Sequence, residues 1–155
     1  MSEINLGIIG GGQLGSMLSI AAKKLNIRTT VYCDDIDAPA QNFCDKFIFG
    51  EYKDSKKILE FAKKVNIVTY EFENIPYETL NEINKLISVL PKPSINKLIQ
   101  HRIAEKDFVN KLNIRTTKYM SIEKKSDLGN LKNFLPGILK TTTMGYDGKG
   151  QYPIK

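Results

Sequence analysis

Apolar and polar positions between residues 4 and 90 switch repeatedly between two periods. "INLGIIG" is a continuous apolar run, the form a strand takes when both of its faces are covered. From Gln13 to Leu25 the period becomes helical, with Leu14, Met17, Leu18, Ala21, Ala22 and Leu25 on one side, the side expected to be buried. "IRTTVYC" is a second strand, "KFIFG" a short third, "NIVTYEF" a fourth and "SVLP" a short fifth. Between the third and fourth, Ile58, Leu59, Ala62 and Val65 recur at helical spacing, with Asp54 or Ser55 as the cap. Pro76 fits the first turn of another helix that runs to about Ile87. Strands alternating with helices predict parallel pairing through right-handed crossovers, an open α/β sheet.

The pattern changes after "PKPS". Ser94 can cap a helix through about Leu112, "TTKYM" reads as extended, and "GILK" reads as a buried strand. "TTTMGYDGKGQYPIK" is a glycine-rich loop that requires a further strand, and the sequence stops there. A lone pair of strands cannot bury its apolar face, so this part is expected to be an unfinished domain. The expected organisation is an α/β domain over 1–93, a connecting helical region over 94–114, and the start of a second domain over 115–155.

Composition narrows the function classes. At 155 residues, 41% hydrophobic and 26% charged, the chain can bury one good core. No apolar run approaches the ~20 residues that cross a bilayer. The opening "MSEINLGIIG" lacks a basic segment followed by a long apolar core, so a cytoplasmic protein without membrane contact is expected. Cys33 and Cys44, the only cysteines, are not at metal-ligand spacing and read as free thiols. The net charge of +6 would suit nucleic acid, but the basic residues are spread along helical faces. Among 23 basic residues only Arg28, Arg102 and Arg115 are arginine, a usage that reflects compositional bias better than a phosphate-contacting stripe.

Three stretches carry chemistry. In "GIIGGGQLGSM" the spacing Gly10, Gly12, Gly15 satisfies G-x-G-x-x-G, and Asp34 follows where a dinucleotide fold places its ribose-binding carboxylate. Such a turn arises either from close strand-to-helix packing or from an anion held on free amides at the helix start, most commonly a phosphate. "TYEFENIP" ends a strand in Glu71 and Glu73, which alternation places on one side at the sheet's carboxyl edge, with Phe72 opposite. Acids beside a phosphate site suit a substrate with amine or hydroxyl groups. "GYDGKGQ", residues 145–151, lacks the G-K-[ST] of a Walker loop. It is either an ordinary glycine hairpin or a loop that folds over a nucleotide's phosphates, its amides and Lys149 neutralising charge.

Taken in order, "GIIGGGQLG", "DAPA", "TYEFENIP", "PS" before "HRIAEK", "GILK" and "GYDGKGQ" resemble the N5-carboxyaminoimidazole ribonucleotide synthase family of the ATP-grasp superfamily. The resemblance runs the whole length of the chain but covers only the amino-terminal portion of the family. It implies a Rossmann-like pre-ATP-grasp domain with a parallel sheet, followed by the beginning of an ATP-grasp lid domain. The activity it implies is that of an ATP-dependent carbon–nitrogen ligase of purine biosynthesis. This ligase carboxylates 5-aminoimidazole ribonucleotide with ATP and bicarbonate, through carboxyphosphate. Carried onto this sequence, Gly12, Gln13 and Leu14 hold the ribonucleotide with Glu73, and the phosphate at the first loop is the substrate's own. Arg102, Lys140 and the run Gly145, Tyr146, Asp147, Gly148, Lys149, Gly150, Gln151 hold ATP, with Tyr146, Asp147 and Lys149 as the catalytic candidates. The magnesium ligands belong to the family's carboxyl-terminal half, so no metal site is expected within these residues. The chain is expected to be inactive alone, and the full-length family to be homodimeric. Two positions depart from the family pattern: Ser16 stands where the family usually has Arg, and His101, read as a helix-surface residue, where it has Asp. A dinucleotide-binding Rossmann module and a non-catalytic relic of the family are the alternatives.

Overall fold

The computed structural model describes residues 4–145 and 148–155. The chain divides into two compact units, one up to Lys97 and one from Leu98 to Lys155.

The first unit is built on four strands, β1 (Asn5–Ile9), β2 (Arg28–Cys33), β3 (Lys46–Phe49) and β4 (Ile67–Tyr70), in the spatial order β3-β2-β1-β4. All three pairings are parallel, with Ile8 opposite Val31, Ile9 opposite Tyr32 and Tyr70, and Val31 opposite Phe47. The expected fifth strand contracts to a single parallel bridge, Val89 to Val68. It is flanked by hydrogen bonds from Val68 N–H to Ser88 O (3.0 Å) and from Leu90 N–H to Val68 O (2.9 Å).

Alternation along the central strands sends residues to two cores. Ile9, Tyr32 and Val68 join Ile58, Phe61, Ala62, Ile75, Leu80 and Ile83 on one face, together with α2 (Ser55–Ala62) and α3 (Tyr77–Asn84). Phe61 is fully buried with its ring centroid 5.5 Å from that of Tyr32, and side chains of this size each contribute about 1.5–3 kcal/mol on burial. Asp54 caps α2 by accepting from Lys57 N–H at 3.1 Å, and Pro76 is the N-cap of α3 rather than part of its first turn.

The other core is thin: Ile8, Val31 and Ala40, with Leu6, Cys44 and Phe47 against it. The helix over this face, α1 (Gln13–Lys24), overturns the expected apolar side. Its buried residues are Gly15, Ser16, Ser19 and Ala22, whereas Leu14, Met17, Leu18 and Leu25 are exposed. The reason is distance. A Cβ built on Gly15 would lie 2.7 Å from the Gly10 carbonyl oxygen, so the first turn of the helix is pressed onto the loop that leaves β1, where glycine fits and a side chain does not. Ser19 satisfies its buried hydroxyl by donating to Gly15 O at 2.9 Å.

The helix expected from Ser94 to Leu112 is two helices, α4 (Pro93–Ile99) and α5 (Arg102–Lys111). His101 separates them in an extended conformation (φ −120°, ψ 107°) and caps α5, its Nδ1 accepting from Ala104 N–H at 3.3 Å. It is therefore a cap rather than a helix-surface residue. In the second unit the segment after α5 is tied back by Tyr119, which donates to the Asp107 carboxylate, and by Lys106, which donates to Thr117 Oγ1 at 3.0 Å. "GILK" forms β5 (Gly137–Lys140), and the strand the glycine loop required is present as β6 (Gln151–Ile154), paired antiparallel. Among the described residues of this unit only Gly145 is buried. No helix among the described residues is long and apolar enough to cross a membrane.

Candidate functional site

Strand order reverses between β1 and β4: from β1 the chain moves to β2 on one side, and β4 lies on the other. Ligands of open α/β sheets occupy such a switch point, at the carboxyl ends of the strands. The loop Gly10–Gly12 leaves β1 there. Gly10 has φ +101°, a conformation that side chains rarely adopt, and its N–H donates to Tyr32 O at 2.9 Å. Gly11 O accepts from Ala40 N–H at 3.0 Å, which ties the loop to the turn after β2. Gly12 is the N-cap of α1 and brings no side chain to it, and the first turn of α1 has no acidic residue.

The residue that follows β4 supplies that acid. Glu71 N–H donates to Ile9 O (3.1 Å), extending the β1–β4 pairing one residue past Tyr70, and Glu71 Oε1 accepts from Gly12 N–H at 2.9 Å. The amide expected to be free for a phosphate is therefore taken by a carboxylate. Gln13 and Leu14 are exposed at the start of α1, and Glu73 is exposed in the turn beyond Glu71. Phe72 turns inward, its ring 6.5 Å from that of Tyr52. Ser16 is buried with its hydroxyl donating to Gly12 O at 3.1 Å, a bond within the first turn of the helix.

Asp34 follows β2 at the same edge. Beside it Cys33 is buried, its Sγ 3.6 Å from Tyr52 Oη, and burial, then Cys33, pushes the Tyr52 phenol up. Cys44 is a half-buried free thiol raised by burial.

The second unit gathers the other candidates. Arg102 N–H donates to Thr142 O (2.9 Å) and its Nη2 to Gly145 O (3.3 Å), which fixes the guanidinium at the entrance of the glycine loop. Thr141 N–H donates to Gly150 O at 2.8 Å and closes the loop across the end of β5, where Lys140 is exposed. Gly148 (φ +79°) and Gly150 (φ +68°) are left-handed, and Gln151 opens β6 opposite Lys140. Arg102, Lys140, Gly145 and the stretch 148–151 are thus adjacent through these bonds. Tyr146 and Asp147 lie outside the described residues. Sequence reasoning passed over Thr141 and Thr142, whose neighbours in the chain gave no periodic signal, and over Glu71 as the residue on the loop. Among the described residues, no three His, Cys, Asp or Glu side chains come together as a metal site.

Residues 1–100 match the family described as the ribonucleotide synthetase preATP-grasp domain. A bifunctional purine synthesis protein of Dictyostelium discoideum is 40% identical over 151 residues, covering 96% of this chain and 15% of that protein. The N5-carboxyaminoimidazole ribonucleotide synthase of Bacillus subtilis is 38% identical over 153 residues, covering 97% of this chain and 40% of that enzyme. Among solved structures, the ADP complex of an N5-carboxyaminoimidazole ribonucleotide synthetase superposes with a TM-score of 0.91 at 34% identity. It covers all of this chain and 43% of the other. The chain spans about two fifths of the length of these synthases and a smaller share of the bifunctional protein.

Proposed function

The chain belongs to the ribonucleotide synthetase pre-ATP-grasp family, and from that premise we propose that it serves the ATP-dependent carboxylation of 5-aminoimidazole ribonucleotide, with bicarbonate as the carbon source. The single observation that carries this reading is the pairing of two features in one chain. One is a glycine loop at the switch point of a parallel sheet, and the other is a glycine hairpin with Arg102 and Lys140 at its base. A dinucleotide module accounts for the first and has no use for the second.

In this reading residues 1–93 are the substrate domain and 115–155 the start of the ATP lid, joined through 94–114. Gly12, Gln13 and Leu14 meet the ribonucleotide at the start of α1, and Glu73 receives hydrogen bonds from its hydroxyl or amine groups. Lys140, Arg102, Lys149 and the amides of Gly145, Gly148, Gly150 and Gln151 set positive charge against the ATP phosphates, the contribution that phosphoryl transfer draws from a protein. Tyr146, Asp147 and Lys149 position the bicarbonate or the carboxylated amine. Magnesium would neutralise phosphate charge, but the described residues do not offer it a ligand set, and no step here is routed through it. A cytoplasmic setting and, for the longer relatives, a homodimer go with the reading.

Protein-observed NMR titration tests it. Aminoimidazole ribonucleotide should shift the amides of Gly12, Gln13, Leu14 and Glu73, and Glu73→Ala should weaken it about tenfold or more, as loss of a charged hydrogen bond does. ATP should shift residues 141–151, with a similar loss in Lys140→Ala. Tighter binding of NAD than of the ribonucleotide, abolished by Asp34→Ala, would replace the reading with the dinucleotide module.

A further inference from the structure

The glycine loop carries its own anion. Glu71 Oε1 accepts from Gly12 N–H at 2.9 Å, and a Cβ built on Gly10 would lie 2.8 Å from that oxygen and 3.0 Å from the Cδ and Cγ behind it. One built on Gly12 would lie 3.2 Å from it. The bare surface that the glycines create is therefore filled by a carboxylate. The backbone holds that carboxylate in place, because Glu71 N–H continues the β1–β4 ladder by donating to Ile9 O.

We propose that Glu71 is a specificity-determining residue that makes this loop reject phosphate and accept hydroxyl or amine groups. A phosphate at a glycine loop takes two things, the loop amide and the positive end of the following helix. Glu71 already has both. A phosphate oxygen approaching Gly12 N–H meets a carboxylate a few ångströms away, and like charges at about 4 Å in a partly buried setting weaken binding by roughly a hundredfold or more. A hydroxyl or amine, by contrast, can donate to that carboxylate. Charge rather than spacing separates this G-x-G-x-x-G loop from a dinucleotide-binding one, whichever substrate the chain serves.

The test uses the 155-residue chain, inorganic pyrophosphate and NAD as probes, and the amide signals of residues 10–13 as the site-specific readout. Glu71→Gln keeps an acceptor for Gly12 N–H and removes the charge, whereas Glu71→Ala vacates the amide. The expected result is that pyrophosphate leaves these amides unmoved in the wild type. It should shift them in Glu71→Ala with at least tenfold higher affinity, and in Glu71→Gln with an intermediate gain. NAD should follow the same order. A residue that only supported the loop would lose affinity on substitution, not gain it. Wild-type binding of pyrophosphate at these amides as tight as in either variant, or no gain in either variant, overturns the proposal. Should the alanine variant fail to fold, the glutamine variant alone decides.

Discussion

Adding one methyl group at Gly15 tests whether α1 is pressed onto the end of β1. In Gly15→Ala the new Cβ would lie 2.7 Å from the Gly10 carbonyl oxygen, 3.4 Å from the Gly10 carbonyl carbon and 3.6 Å from Ala40 Cβ. The first contact is with backbone, which cannot rotate away, so the first turn of the helix must lift by roughly half an ångström. Two opposed effects set the size. Alanine in a helix is favoured over glycine by about 1 kcal/mol, and overpacking of this kind costs about 1–3 kcal/mol. Lifting the turn also lengthens the Gly12–Glu71 hydrogen bond, a charged one of the kind that contributes about 1.5–3 kcal/mol when well formed. The clash wins, and Gly15→Ala is expected to be less stable than wild type by about 1–2 kcal/mol. Urea unfolding followed by far-ultraviolet circular dichroism measures this, with Met17→Ala as the control in the same helix. Met17 is 57% exposed, and its truncation should stay within about 0.5 kcal/mol. A Gly15→Ala variant equal to or more stable than wild type, beside a neutral Met17→Ala, would refute the close approach of α1.

Two further outcomes follow from buried phenols and helix caps. Burial first, then Asp54, Glu51 and Asp34, pushes the Tyr32 phenol up to about 12, so the fold favours its neutral form. The stability this gives is complete below the ordinary tyrosine value of about 10. It is lost as pH rises from there towards 12, by about 2–3 kcal/mol in all. Urea midpoints at about pH 9 and about pH 11.5 should show the loss, and Tyr32→Phe should lessen it while leaving the share owed to the raised Tyr52. An identical alkaline slope in Tyr32→Phe would refute the assignment. At the start of α5, His101→Asp puts a carboxylate where an imidazole now accepts from Ala104 N–H. It should slow exchange of that amide by a few-fold, in line with caps contributing about 1 kcal/mol, whereas His101→Ala should speed it. Unchanged exchange in both variants would remove His101 as the cap.

The four strands were legible because each is a short run rich in apolar and β-branched or aromatic residues, too short for a helix, whereas "SVLP" yields only the bridge at Val89. The facing of α1 was not. Its large apolar residues and its small ones form separate stripes, and hydrophobicity alone selects the large one. What decides is the distance the glycine loop imposes at Gly15: Gly15, Ser19 and Ala22 fall at i, i+4 and i+7, a line of small buried residues, and Leu14, Met17 and Leu18 are left outside it. The break at His101 was hidden for a related reason. Arg102 N–H bonds to Thr142 O, forty residues along the chain, and no local pattern reports a partner that far away.

At the site, period-two reasoning brings Glu71 and Glu73 to the carboxyl edge together, and the family resemblance singles out Glu73. β4 ends at Tyr70, and one further ladder bond, Glu71 N–H to Ile9 O, decides which of them lies on Gly12. That bond depends on the register between β1 and β4, Ile9 opposite Tyr70, which is a property of two strands and not of either alone. The spacing of three glycines describes the shape of a turn, and the charge set against it comes from a residue 59 positions later, just past β4. A glycine fingerprint therefore specifies how closely a ligand can approach the backbone. In this chain the first side chain past β4, Glu71, sets a carboxylate on that backbone, and the spacing of the glycines does not report it.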